Sequence, residues 1–284
     1  MDNTTLKKHL HQIADMLLLN GTLTECPGLV HGKMGIVVFF FHYARYTGNP
    51  LFMDYAMDVI GVMMNQIHAN SRADYEKGIA GIGVGIDYLI RNDFLDTEDD
   101  IFEDFDARMF RAVMYDPWQD FTLYDGLTGF GRYWISRLQQ QPSSVQAQKC
   151  LRYIMERIEE KHPDIPQDEQ ADIYCFLHDL REIPGFDIST RLPEQYRKPP
   201  MDINRHFPRL GDSVVGNTVR MYQRERYFNE YLQDETDSAL KQIPVLDMGK
   251  APPSAAGLLT GYAGEGLLRL SALDLTNVSW MSLL

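Results

Sequence analysis

The sequence predicts an all-α fold, a double ring of helical hairpins (an α,α-toroid) with about six repeats, formed by residues 1–284 as one domain. Three observations predict it. Glycine pairs three residues apart recur at a hairpin-length period. Each clear pair opens an apolar segment, and an amphipathic segment follows the first three. No apolar run reaches a membrane-spanning length, so protein must cover the apolar segments.

The pairs are Gly32 and Gly35 in HGKMGI, Gly78 and Gly81 in KGIAGI, Gly126 and Gly129 in DGLTGF, and Gly261 and Gly264 in TGYAGE. The first glycines lie 46, 48 and 135 residues apart. The last interval is three steps of about 45. Two degenerate units are therefore expected near 171 and 216, where Ala171 and Gly216 stand.

The elements follow in order. Leu6, Leu10, Ile13 and Leu17 mark an N-terminal helix that helps to close the ring as an outer member. The first inner helix, around IVVFFFHYAR, is apolar nearly all round. Gly48 ends it, Asn49 caps the next helix and Pro50 takes that helix's first position. Phe52, Ala56, Val59, Ile60, Met63 and Ile67 form its buried stripe. The second unit has IGVGIDYLIR, then Thr97 as cap with Asp100 three residues on, and a stripe of Phe102, Phe105, Met109 and Val113. In the third, Ser143 or Ser144 precedes Ala147, Leu151, Ile154, Met155 and Ile158. The final unit ends in an apolar inner helix, GLLRLSAL, with no polar cap, which favours a closed ring over an open solenoid. Residues 183–213 hold five prolines and little periodicity, as an inserted lid or binding loop does.

Glycine weakens a helix interior by roughly 1 kcal/mol relative to alanine. A repeated cost of this kind has a cause. Small residues let neighbouring backbones approach closely. They are also expected to leave the first amides of the inner helices uncovered at one end of the ring, as a site for anionic or carbonyl groups.

Composition narrows the function. Apolar residues make up 44% and charged residues 24%, the balance of an ordinary globular chain. The net charge of −13 argues against nucleic acid or an anionic membrane surface as partner. Three cysteines, Cys26, Cys150 and Cys175, suit a reducing compartment. The N-terminus carries charge within its apolar stripe and has no signal-peptide cleavage site, so a cytoplasmic location is expected.

The motifs GLVHGKMGI, GIAGIGVG, DGLTGFG and GLLTGYAGEGLLRL, at hairpin spacing, resemble the lanthionine synthetase C-like family. The resemblance implies an α,α-toroid, of seven hairpins in the peptide cyclases. Those enzymes join cysteine thiols to dehydrated serine or threonine. They use zinc held by one cysteine and an adjacent Cys-His pair, and the metal activates the thiolate. Laid on this chain, the Cys-His-Gly motif falls on Val214, Val215 and Gly216, and the other cysteine near Glu169. The family's aspartate falls on Thr122, with Asp125 close by. The expectation is a divergent member that binds or modifies a precursor peptide in natural-product maturation, without the zinc-thiolate mechanism. Its partners would be a peptide or small-molecule substrate and other peptide-maturation proteins.

Residues just before each first glycine share one rim in a closed ring. His31, Lys77 and Asp125 are candidates there for acid–base work, and Thr260 for polar recognition. Asp125 and Thr260 are also good helix-capping types. Trp118 in YDPWQDF and Arg205 in the basic insertion are further binding candidates. Asp87, Asp125 and Glu265 are the carboxylates that a carbohydrate-active toroid enzyme would need, although Asp87 can pair with Arg91. Cys175 and His178 share a helical face as weak metal candidates; no cofactor is expected, and zinc is set aside because two donors do not complete a site. A non-catalytic peptide- or protein-binding module is the main alternative.

Overall fold

A computed structural model of the chain describes residues 2–96, 101–118, 120–186, 196, 210–245, 256–275 and 277–284. Among them there are eleven α-helices and no strand. The all-α expectation holds. The chain divides into two compact units, Met1–His68 with Leu210–Leu284, and Ala69–Arg209. The insertion expected at 183–213 lies mostly outside the described residues, as do Arg205 and the Thr97–Asp100 cap. Within it Tyr196 is buried, and its carbonyl accepts a hydrogen bond from Arg181 Nη2 at 2.8 Å.

In the first unit α1 (Asn3–Asn20) packs on α11 (Tyr262–Leu273), α2 (Lys33–Thr47) on α3 (Leu51–Met64), and α9 (Val214–Phe228) on α10 (Gln233–Lys241). α11 also lies against α2 and α9. Thus the last repeat touches the first, and α1 packs on α11 as its outer helix. In the second unit α6 (Leu127–Gln140) packs against α4 (Ile79–Arg91), α7 (Val145–Lys161) and α8 (Gln170–Arg181), while α5 (Glu103–Met114) packs on α4, α6 and α7. α2 is buried continuously from Lys33 to Tyr43, and α4 from Ile79 to Leu89. The outer helices bury one stripe only, such as Phe105, Met109, Ala112 and Val113 of α5. Ser144 caps α7 through Ala147 N, and Gly48 ends α2 at φ 68°, as the sequence predicts. α3 starts one residue later than expected: Pro50 is its cap, and Asn49 Oδ1 accepts from Leu51 N at 3.1 Å.

The glycines have a more definite task than small size. The loop before each clear inner helix folds back on the helix start. Lys33 N donates to Cys26 O at 2.9 Å, Ile79 N to Arg72 O at 2.9 Å and Leu127 N to Asp120 O at 3.0 Å, each a reach of seven residues. Ala263 N and Gly264 N make the same step to Ala256 O and Gly257 O, both at 3.2 Å. The expected array of uncovered amides therefore does not exist at these starts; the donors are taken by the chain's own carbonyls. Gly32, Gly78, Gly126 and Gly261 are the caps of these helices, so Asp125 and Thr260 stand one position outside and are not caps. The cap backbone is extended, which any residue adopts. What excludes a side chain is space: a Cβ at Gly78 would lie 2.4 Å from Arg72 O, and one at Gly32 would lie 2.3 Å from Cys26 O.

This geometry sets the register of the degenerate repeats. A Cβ on the second glycine would strike the carbonyl six residues earlier at Gly129, Gly264 and Gly216 alike, at 2.1, 1.8 and 1.9 Å. Gly216 is therefore a second glycine, and Ser213 replaces the first, capping α9 through Gly216 N at 3.0 Å. In the fourth repeat the cap is Glu169, two residues before the Ala171 of the period count.

Adjacent repeats join through a third small position, five residues after the cap. A Cβ at Gly83 would meet the Tyr133 ring at 2.5 Å, one at Gly131 the Phe176 ring at 2.3 Å, and one at Gly266 the Phe39 ring at 2.3 Å. Each ring sits seven residues after the next cap. The repeats pair second to third, third to fourth and sixth to first by one rule. The loops interlock likewise. Tyr75 N and Glu76 N donate to Tyr124 O at 2.9 and 3.1 Å; Leu258 N and Leu259 N donate to Val30 O at 2.8 and 3.2 Å.

Overpacking at such a joint costs about 1–3 kcal/mol, whereas alanine at an unobstructed glycine gains about 0.4–1 kcal/mol. Gly131→Ala should lower stability by the first amount in denaturant melts. Gly61→Ala, in α3 with nothing within 4 Å of the new methyl, should raise it by the second.

His42 in α2 is buried, and that burial, aided by the Arg45 charge, pushes its imidazole down to about 3, against a weaker upward pull from the Asn277 side chain. The folded state then refuses a proton that the unfolded chain takes at its ordinary pKa of 6.5. Its contribution to stability is present above that value and is lost as pH falls toward 3, at up to about 1.4 kcal/mol per pH unit. Relative to His42→Gln, the native chain should show this extra loss in denaturant midpoints measured from neutral to acid pH.

Candidate functional site

A polar concavity lies in the second unit, a cleft of about 500 Å³ lined among others by Arg72, Asp74, Arg108, Asp116, Trp118, Asp120 and Asp125. It grows out of the two fold-back loops and the end of α5. The loop before α4 carries Arg72, whose Nε lies 2.5 Å from Asp74 Oδ2 and whose Nη2 lies 3.8 Å from Asp125 Oδ1. Asp74 is held in turn, because its Oδ1 accepts from Lys77 N at 2.7 Å. The hydrogen bond and charge of Asp74 hold the Arg72 guanidinium above its ordinary pKa, with Asp125 adding to the effect.

Arg108, on α5, forms the second ion pair. Its Nη1 lies 2.9 Å from Asp116 Oδ2, while its Nε donates to Ser71 O at 2.9 Å. Arg111 reaches the same strip of chain, donating to Ala69 O. α5 thus fixes the loop that bears Arg72. Arg72 is two-thirds exposed and Arg108 nearly buried, so the first offers its charge to a ligand and the second is a fixture. Trp118 is half-buried beside Phe121, with ring centroids 5.1 Å apart.

The third loop is held by side chains of the degenerate fourth repeat. Leu123 N, at the position where Tyr75 and Leu258 donate to a neighbouring carbonyl, donates instead to Asp172 Oδ2 at 2.8 Å. Phe121 N donates to Glu169 Oε2 at 2.9 Å, and burial pushes the Glu169 carboxyl up. Asp120 accepts from Thr122 N at 2.9 Å and from its hydroxyl at 2.7 Å.

Of the sequence-predicted residues, Asp125 and Trp118 line the cleft. Lys77 is exposed beside Glu76, 3.4 Å away, and is not in the lining. His31 and Thr260 meet in the first unit, with Nδ1 and Oγ1 3.4 Å apart. Asp87 is a correction: it is fully buried, 2.7 Å from Arg91 Nη2, and accepts from Gln140, so it cannot face a substrate. Burial raises its pKa, and Arg91 opposes this. Glu265 pairs with Arg269 at 2.5 Å on its own helix. Cys175 and His178 both lie half-buried on α8. His178 Nδ1 is 3.9 Å from carboxylate oxygens of both Asp179 and Glu182. Arg72, Arg108, Asp74 and Asp116 were missed. The available signal was the Asp-Pro of YDPWQDF and an arginine six residues before a cap glycine.

The zinc site of the resembling cyclases does not fit these residues. Val214 and Val215 occupy the first turn of α9, Val215 is buried, and neither has a donor atom. Glu169 is engaged by Phe121 N. No protein-family model and no curated protein matches the chain.

Removing the Asp172 carboxylate leaves a loop amide without its acceptor, at about 1–3 kcal/mol. Asp172→Ala should therefore speed hydrogen exchange at Leu123 and lower stability by that order, whereas exchange at Tyr75, bonded to a backbone carbonyl, should change far less.

Proposed function

We propose that this chain is a divergent lanthionine synthetase C-like protein, an α,α-toroid of six hairpins that binds a peptide in the cleft between Arg72 and Arg108. The ring is supported by the contact of the sixth repeat with the first, which uses the same glycine–aromatic joint as the second with the third. An open solenoid would leave its end repeats apart.

The observation that carries the binding reading is the cleft itself. Two arginine–aspartate pairs and the half-exposed Asp125 present donors and acceptors side by side, and Trp118 supplies an apolar platform. A peptide offers the matching set: carbonyls and carboxylates for Arg72, amides for Asp125, and a side chain for the indole. Binding is favoured over group transfer because the cleft carboxylates already have partners, in Arg72, Arg108, Lys77 N and Thr122. No described helix is long and apolar enough to cross a membrane, and among the described residues no disulfide joins the cysteines. A cytoplasmic role in peptide maturation is consistent with both.

The test is selection from a random displayed peptide library on the full chain, followed by calorimetry with the selected peptide. Arg72→Ala and Trp118→Ala should each weaken binding about tenfold, equivalent to about 1.4 kcal/mol. Affinity should fall as salt rises, because Arg72 is exposed. Unchanged binding in both variants, or selection of oligosaccharides and not peptides from a parallel glycan screen, would overturn the assignment. An unchanged peptide mass after incubation separates binding from modification.

A further inference from the structure

The outer helices α5 and α7 carry much charge toward solvent, and α3 carries little. α5 has five charged residues in twelve, and α7 has seven in seventeen. α3, LFMDYAMDVIGVMM, has only Asp54 and Asp58 in fourteen. Its inner stripe, Ala56, Val59 and Met63, is buried, and Tyr55 ties it to α1 by donating to Leu17 O at 3.0 Å. The opposite face is uncovered and carries four apolar side chains around Asp54 and Asp58: Leu51 is 68% exposed, Met57 47%, Met53 40% and Val62 39%. Gly61 continues the face as a notch with nothing within 4 Å of a built Cβ.

The helical period arranges this face in rows. Met53, Met57 and Gly61 form one row; Asp54, Asp58 and Val62 form the next. Two methionines one turn apart thus lie beside two carboxylates one turn apart, with Leu51 and Val62 on the carboxylates' other side. Apolar residues scattered singly on a surface need no explanation, whereas four grouped on one face of one helix suit docking. Methionine adapts to varied partners, and the glycine notch lets another backbone come close.

We infer that the outer face of α3 docks a cationic amphipathic helix of another protein, with apolar residues on the methionine strip and Lys or Arg one turn apart on Asp54 and Asp58. Charge selects this occupant. A second copy of the chain would set Asp54 and Asp58 against their own kind in a protein of net charge −13. An anionic lipid surface is repelled by the same pair. The surface belongs to the first unit and is independent of the Arg72–Arg108 cleft.

The probes are a labelled amphipathic leucine–lysine helix and its leucine–glutamate counterpart, titrated by fluorescence anisotropy against the full chain. The leucine–lysine helix should bind and the leucine–glutamate helix should not. The charge-neutral triple variant Met53→Gln, Met57→Gln, Val62→Thr should lose at least tenfold in affinity, with its helical circular dichroism intact. Asp54→Asn with Asp58→Asn should lose several-fold and flatten the salt dependence. Equal binding to the triple variant would mean diffuse attraction to an acidic protein and would overturn the inference. So would binding of the glutamate helix, a dimer that the triple variant abolishes, or binding to anionic vesicles in place of the leucine–lysine helix.

Discussion

The fold depends on a loop that turns back to occupy the start of its own inner helix. A helix begins with amides that no earlier turn can satisfy. Here the first of them donate to carbonyls seven residues upstream, at Cys26, Arg72 and Asp120. That reach brings backbone against backbone, and the cap position has no room for a Cβ. The same compact loops then offer a carbonyl to the neighbouring loop, from Tyr124 to Tyr75 and from Val30 to Leu258. One local constraint thus produces the cap, the loop and the link between repeats.

The degenerate fourth repeat has kept the links while losing the glycines. Asp172 provides by side chain the acceptor that a carbonyl provides elsewhere, and Glu169 takes a second loop amide. The fifth repeat keeps its second glycine and replaces the first by Ser213, whose hydroxyl oxygen caps through Gly216 N. Each substitution answers the same demand for an acceptor or a cap. The third loop carries Asp120 and Asp125, so the carboxylates of α8 also set the cleft's edge.

Much of the helical frame was legible in the sequence because it rests on local rules. Glycine pairs, the Gly48 stop, the Ser144 cap and the buried stripes all follow from periodicity within a few residues. The exact register of the degenerate repeats was not, because counting a period cannot see that Asp172 or Ser213 has replaced a backbone group. The caps were misassigned to Asp125 and Thr260 because ordinary capping preference favours oxygen-bearing side chains, and here steric exclusion decides. The cleft was half legible. Asp125 and Trp118 stood out by motif, but Arg72 and Arg108 gain meaning only when the end of α5 is brought beside a loop some thirty-five residues away. Asp87 misled as a candidate carboxylate, since its apolar neighbours on α4 bury it completely and Arg91 pairs with it.

The most direct test of the central claim is residue-resolved amide hydrogen exchange at the starts of the inner helices. If the loops fold back, Lys33, Ile79 and Leu127 will be protected like amides inside a helix, although each occupies a first helical position. Fast exchange at these three, comparable to that at the first turn of α7, would contradict the account, because the glycines would then have no carbonyls to make room for.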